Sequence, residues 1–407
     1  MRESVYVSGA AMSRFGVHPD QSVASLTQAV VSEALADAGL GLDAVGAVYF
    51  GNTTQSALEG QLMVGGQIAL RRMGLQAVPV FNVENACATG ASALHLAIGS
   101  VLAGTAAVAL AVGVEKMNIG DRARSMAVFD GAYDVSDPDE LVRQLERLGG
   151  VADATALGDR SIFMDIYAAF ARAHMKAFGT TQEQIAAVSA KNHGHAVHNE
   201  RAHYRTAMTV ADVLHGRELA YPLTVPMCSP LTDGAAAVVV TSGQAVPSAA
   251  TARAVRVLAS SIGTGVDRDL DDYSRHVAKL TADRAYEQGG VGPGDVDVAE
   301  VHDATAFGEI LQSELLGLCE PGAGGPAASA GETSLGGRIP INPSGGLESK
   351  GHPLAATGLG QVYELVTQLR GEAGPRQVDR ARIAVAENGG GYFHGEEATA
   401  AVTILGR

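Results

Sequence analysis

Short, nearly continuous apolar runs alternate along this chain with longer stretches of helical spacing, and the same order of elements occurs twice. In the first half, residues 45–52 read as a strand that ends in a polar turn, and 77–83 as a short buried strand. Residues 91–102 read as a helix of small apolar residues, and 106–114 and 235–241 as further strands. In the second half, residues 296–303 again form a strand with a polar end, 356–369 a helix, and 381–386 and 398–405 two strands. Continuous apolar strands belong to sheets covered on both faces. They predict an α/β fold of two similar strand–helix–strand (βαβ-type) halves with a buried, mostly parallel sheet. The Ser, Ala, Gly and Pro residues of 242–252 mark the boundary and divide the chain into 1–245 and 246–407. The first half alone carries an insertion, about 116–205, which is charge-rich over 121–147 and helical over 159–177 and 181–195. Such a segment predicts a lid, or a binding or assembly surface.

Composition narrows the class. The chain has 407 residues, 46% hydrophobic and 18% charged, enough for two or more large domains with extensive cores. Its 50 glycines, with Ala crowding the core segments, predict close approach of backbones. A net charge of −15 argues against nucleic acid and against anionic membrane surfaces as partners. Cys87, Cys228 and Cys319 are far apart and show neither a disulfide framework nor zinc-ligand spacing, so no metal is expected. A reducing, cytoplasmic compartment fits that usage. Residues 1–16 lack a signal-peptide apolar region, and the longest small-apolar stretch, 101–114, is too short to span a bilayer.

Candidate chemistry begins with Cys87, between a strand and a helix start in Asn85-Ala86-Cys87-Ala88-Thr89-Gly90. Free backbone N–H groups and the positive end of the helix dipole favour thiolate there, and thiolate is the nucleophile. Taken alone, a free cysteine is more often a small buried hydrophobe. His352, in Gly351-His352-Pro353, opens the corresponding helix of the second half. If the halves pack about a pseudo-two-fold axis, the two helix starts face one another across one pocket, and a cysteine paired with a histidine is an activated nucleophile. His302 ends the strand of 296–303, where sheet enzymes place functional groups. In Glu387-Asn388-Gly389-Gly390-Gly391, glycines after a strand leave N–H groups free to form an oxyanion hole.

These segments together resemble the thiolase superfamily. Asn342-Pro343-Ser344-Gly345-Gly346-Leu347-Glu348-Ser349-Lys350-Gly351-His352-Pro353 is similar to its C-terminal signature, and the Cys87 segment to its nucleophile motif. His302-Asp303 stands where the sterol-carrier, or lipid-transfer-type, branch has a His-Asp-Cys-Phe-like motif. Lys191-Asn192-His193, Tyr204-Arg205 and Cys319-Glu320-Pro321-Gly322 also resemble that branch. The resemblance implies a thiolase fold: two core halves in a five-layered αβαβα arrangement with an inserted loop domain. It also implies a homodimer or dimer of dimers, with coenzyme A thioesters as substrates and no permanently bound cofactor.

Roles follow from the same resemblance. Cys87 would accept the acyl group, and His352 would activate Cys87 and help stabilise the thioester enolate. His302 and His352 would form one oxyanion hole. The backbone N–H groups of Cys87 and of Gly389, next to Asn388, would form the other. The usual second cysteine is missing: Ala304 holds its place in the sterol-carrier branch, and Glu387 its place in the final glycine-rich loop of other thiolases. A desolvated Glu387 could act as the base instead, with Tyr392 and His394 as further acid/base candidates. Cys228 and Cys319 fall on neither motif and read as structural. Met126, Phe129, Phe163, Met164 and Tyr167 of the insertion are apolar enough to line a bulky acyl pocket.

The implied activity is that of an acyl-CoA C-acyltransferase, forming or cleaving a carbon–carbon bond of a 3-oxoacyl-CoA through acyl-Cys87. Three alternatives stand beside it: an acyltransferase to a non-CoA carbon acceptor, an aldolase-type homologue using a tyrosine such as Tyr392, and a non-catalytic lipid carrier. The resemblance also permits a small partner with a zinc ribbon and an OB-fold. The acidic segment 137–146 could meet that partner, although such a charge run reads first as a solvated helix face.

Overall fold

The computed structural model describes residues 4–149 and 160–407. Its strands are β1 (Val5–Met12), β2 (Ala47–Gly51), β3 (Val80–Val83), β4 (Val108–Glu115), β5 (Glu218–Ala220), β6 (Leu223–Thr224), β7 (Gly234–Ser242), β8 (Val255–Thr264), β9 (Val298–Glu300), β10 (Ile383–Gly390) and β11 (Thr399–Gly406). Nine of them form one sheet in the order β3-β2-β4-β7-β1-β8-β11-β10-β9, and β5 and β6 form a separate hairpin. The seam is short: β1 meets β8 only through Tyr6 opposite Arg256 and Val7 opposite Val255. On either side of it the order is mirrored, β2-β4-β7-β1 against β8-β11-β10-β9, which is the duplication seen in the sequence.

The sheet is mixed and not mostly parallel as expected. β2 runs parallel to β3 and β4, and β9 parallel to β10. The pairs β4–β7, β7–β1, β1–β8, β8–β11 and β11–β10 are antiparallel. A continuous apolar run reports burial of both strand faces, which is true of β4, β7 and β11, and carries no information about direction.

Two central helices, Thr89–Leu102 and Leu354–Arg370, pack against one another between the half-sheets. Their apolar faces share one core with both halves, including Leu94, Ile98, Val238, Leu359, Val362 and Leu405. The outer helices Val23–Ala38 and Val277–Gly289 cover the far faces, giving the layer order helix, sheet, helices, sheet, helix. Val23–Ala38 begins at a reciprocal Ser22–Ser25 capping box and ends at Gly39 with φ 68°. Between those caps Leu26, Val30, Ala34 and Leu35 recur at helical spacing and pack on Val48, Leu110 and Val239. Each such fully buried Val or Leu contributes roughly 1.5–3 kcal/mol.

Glycine lets the central layer close. A Cβ on Gly113 of β4 would lie 1.9 Å from the carbonyl oxygen of Ala355, and one on Gly90 2.4 Å from the same oxygen. Both central helices therefore start pressed against β4 and against each other.

The insertion contributes the helices Pro138–Arg147, Ile162–Phe178 and Gln182–Ala196. The expected helix start at Asp159 lies outside the described residues. The insertion packs on helices of the second half, among them Ala306–Leu315: Tyr167, Ile185, Val188, Phe307 and Ile310 share one cluster. The run 77–83 forms a strand only over β3, and Phe81 is 51% exposed because β3 is the sheet's edge. Leu62 and Met63, exposed at 73% and 74%, precede the helix Gly65–Arg72 that packs on this edge. Among the described residues, no helix is long and apolar enough to cross a membrane.

Candidate active site

Cys87 sits in a tight turn, Ala86–Ala88, directly before the helix Thr89–Leu102. Ala86 has φ 48°, a left-handed conformation that costs a residue with a Cβ energy and persists only where its surroundings enforce it. Thr89 supplies that constraint. Its hydroxyl accepts from Asn85 N at 2.8 Å and donates to Ala86 O at 2.7 Å. β10 presses on the turn from the other side: a Cβ on Gly390 would stand 2.3 Å from Asn85 O.

His352 is delivered by residues 342–353, which wrap the end of β9. Asn342 accepts from Val301 N through its side-chain oxygen at 2.9 Å. Ser344 and Lys350 both bond the buried carboxylate of Glu300. Asp303 accepts from Leu347 N at 2.8 Å, and Gly346, with φ 60°, leaves the room Asp303 needs. The His352 N–H then donates to Thr232 Oγ1 at 2.8 Å.

The two helix starts meet. His352 Nε2 lies 3.2 Å from Cys87 Sγ, and His352 Nδ1 lies 2.7 Å from Thr357 Oγ1. Thr357 donates its single hydroxyl proton to Pro353 O at 3.1 Å, so it accepts from His352 Nδ1–H. The neutral ring therefore turns an unprotonated Nε2 toward the thiol. Burial, then His302 and Lys350, holds the His352 pKa well below its ordinary value. Burial also pushes the Cys87 thiol up to about 12, with Glu115, Glu84 and Glu397 adding to the rise. This corrects the expectation of a thiolate: desolvation and three carboxyl groups outweigh the helix end. The resting pair is thiol and imidazole, with the proton poised to cross on attack.

His302 is buried beside His352, with ring centroids 5.2 Å apart. Burial lowers its pKa to about 4, so it too is neutral. The donor atoms of Cys87, His302 and His352 lie within 4.8 Å of one another. That grouping spans three distant segments, so spacing along the chain could not reveal it. One acyl oxygen placed between the rings can touch both.

The other expected residues lie differently. Glu387 is fully buried behind His302: its Oε2 accepts from His302 N at 2.9 Å, and it does not line the cavity. Burial and Glu397 push its carboxyl well above the usual range. Asn388 and Gly389 lie within β10, paired with Ala401 and Ala400, and not in a loop after it. Gly391 is the glycine of this segment that reaches the cavity wall. Tyr392 is buried among Leu141, Leu145 and Ile166, and His394 is exposed and stacked on Phe393, so neither reaches Cys87. Cys228 lines the same cavity as Cys87. Its segment is bridged to Thr305, and Ser229 N donates to Ala304 O at 3.0 Å, so this thiol borders the place of the missing cysteine.

The cavity has a volume of about 960 Å³. Cys87, His302 and His352 share its lining with Met126, Phe129, Phe163, Met164 and Tyr167 of the insertion. Two docked α/β halves, with one nucleophile–base pair at their facing helix starts and a large apolar cavity above it, define an enzyme of the acyl-transfer type.

The comparisons specify the class. Residues 5–220 match the family model "Thiolase, N-terminal domain", and residues 264–407 match "Thiolase C-terminal domain-like". The chain belongs to the thiolase family. It is 38% identical to an acetyl-CoA acetyltransferase of Methanothermobacter thermautotrophicus over 99% of each chain. It is 33% identical to human sterol carrier protein 2 over 94% of this chain and 69% of that protein. It is also 32% identical to benzoylsuccinyl-CoA thiolase subunit BbsB of Thauera aromatica over 96% of each. A solved structure described as an Ltp2-ChsH2(DUF35) aldolase superposes with a TM-score of 0.79 over 99% of this chain at 22% identity, a likeness of fold.

Proposed function

We propose that this thiolase-family acyltransferase forms or cleaves the carbon–carbon bond of a 3-oxoacyl-CoA through an acyl group carried on Cys87. The observation that carries the reading is the 3.2 Å contact between Cys87 Sγ and the free Nε2 of His352 at the wall of the cavity. As Sγ attacks the thioester carbonyl, its proton passes to His352 Nε2. The carbon–sulfur bond to coenzyme A breaks, and the leaving thiolate takes that proton, leaving acyl-Cys87. The α-carbon of a second thioester gives its proton to the free Nε2 of His352 and attacks the acyl carbon, its enolate oxygen resting against His302 and the now protonated His352; the bond from the acyl carbon to Cys87 Sγ breaks, and Sγ takes the proton back from His352. The backbone N–H group of Cys87 serves the tetrahedral intermediate.

In this reading Glu387 supports His302 from behind and does not touch substrate. Cys228, the thiol that borders position 304, is pushed up by burial and keeps its proton, so it lines this place without serving as the base. Aromatic and thioether side chains from the insertion favour a bulky acyl group over acetyl alone. The unpaired β3 edge, with exposed Phe81, Leu62 and Met63, supports a homodimer, in which that edge would pair. A small zinc-ribbon and OB-fold partner remains part of the proposal, since the superposed aldolase carries a DUF35 component in its description. So do the division at 245/246 with its insertion at about 116–205, and a reducing, cytoplasmic setting for the three free cysteines.

The test is intact-protein mass spectrometry after brief incubation with a panel of acyl-CoA thioesters. A mass gain of one acyl group is expected in the wild type and none in Cys87→Ala. Full turnover by Cys87→Ala overturns the proposal.

A further inference from the structure

The two histidines of the site each meet a hydroxyl group at Nδ1, and the two hydroxyls have opposite hydrogen-bond duties. Thr357 donates elsewhere and so accepts from His352, as shown above. His302 Nδ1 lies 3.5 Å from Tyr167 OH, the long end of hydrogen-bond reach, where contacts in an unliganded site often stand before substrate tightens them. We propose that Tyr167 sets the tautomer of His302, making that ring a donor toward substrate where His352 is an acceptor. The inference rests on the reading above that a substrate oxygen sits against His302.

The argument is one of satisfying every proton. His302 is neutral and carries one ring proton. Were that proton on Nδ1 and donated to the phenol, the phenol's own proton would need an acceptor. The hydroxyl meets no other hydrogen-bonding group among the described residues, although it is 4% exposed. Nε2 would then present a lone pair to an incoming oxyanion. In the opposite arrangement the phenol donates to Nδ1, and the ring proton sits on Nε2. That atom is buried and lacks a hydrogen-bond partner among the described residues, as a donor reserved for substrate should. The phenol suits the task because burial, with Glu397 and Cys87 nearby, pushes its pKa well above the ordinary value and keeps its proton on.

The fold fixes the ring for this purpose. Tyr167 belongs to the inserted helix Ile162–Phe178 and lines the cavity beside Cys87. It stands edge-on to Phe170 at 6.1 Å, and a Cβ on Gly308 would touch its Cε1 at 3.6 Å. The insertion therefore acts on the reaction through a positioning residue, in addition to walling the acyl pocket.

Tyr167→Phe removes the donor and keeps the ring. Turnover is expected to fall roughly 10–100-fold, the usual loss for a group that orients a functional histidine, while acylation of Cys87 stays within a few-fold. The ¹⁵N spectrum of the histidine rings, with His302→Gln used to assign the signal, should show an Nε2–H tautomer in the wild type and a mixture in Tyr167→Phe. In the His302→Gln background, whose amide donates in any case, Tyr167→Phe should cost nothing further. An unchanged tautomer, or the same loss in both backgrounds, overturns the proposal. Failure of the wild type to acylate would overturn the acyl-transfer reading instead, and the ring spectrum would still decide the tautomer.

Discussion

Gly113→Ala tests the claim that close packing of the central layer aligns the nucleophile with its base. The added Cβ would stand 1.9 Å from Ala355 O, a backbone atom with no rotamer to change. An ordinary carbon–oxygen contact is about 3.3 Å, so strand and helix must part by about 1.4 Å. Ala355 lies in the first turn of the helix that His352 opens, and the helix moves as a unit. His352 Nε2, now 3.2 Å from Cys87 Sγ, would be carried beyond hydrogen-bond reach. Misplacement of a catalytic group by about 1 Å costs on the order of 100-fold in rate, whereas overpacking of this kind costs about 1–3 kcal/mol of stability. The variant should fold, melt a few degrees lower, and form acyl-Cys87 at least about 100-fold more slowly in rapid-quench mass spectrometry. Wild-type acylation in a variant with a normal melting temperature would refute the reasoning.

Glu387→Gln should keep turnover to within about tenfold, because burial favours the neutral carboxyl and the neutral amide retains an acceptor for His302 N–H; a loss comparable to that of Cys87→Ala would restore Glu387 as a base acting on substrate. Since burial pushes the Cys87 thiol up to about 12, its alkylation by iodoacetamide should rise about tenfold per pH unit from about pH 6 to 9 without a plateau, and a plateau near neutrality would show a resting thiolate. Lys350→Met leaves the fully buried Glu300 without its cation and should cost about 3–5 kcal/mol in urea unfolding, much of it recovered when Glu300→Gln is added; an unchanged unfolding midpoint would dismiss the pair as structurally idle.

The duplicated order of elements was legible because both halves bury strands on two faces, and burial leaves a compositional trace. β1 and β8, which form the seam, were not recognised, since their Ser, Gly and Ala content dilutes the apolar signal. Direction in the sheet was also hidden, because a strand buried on both faces reads alike whichever way it runs. Cys87 and His352 were found through their equivalent positions. The helix start beside Cys87 is legible locally, whereas the burial of its thiol, with Glu115 from β4 and Glu397 from the segment before β11, comes from the tertiary fold. Thr357 carries a faint signal, lying five residues after His352 in the first turn of the helix that follows it. Tyr167 carries none as an orienting group: an aromatic on an apolar helix face predicts core, and only the docking of the insertion on Ala306–Leu315 brings its hydroxyl to His302.

Cys87 and His352 occupy equivalent positions in the two copies. In an ancestor made of two identical half-length chains, those positions would have held the same residue, giving two cysteines or two histidines across the seam. A thiol facing an imidazole requires two halves that differ at this position, and one chain holding both copies guarantees that they meet. The division of labour proposed for this pair, one partner acylated and the other moving a proton, is in this sense a property of the covalent link between the halves.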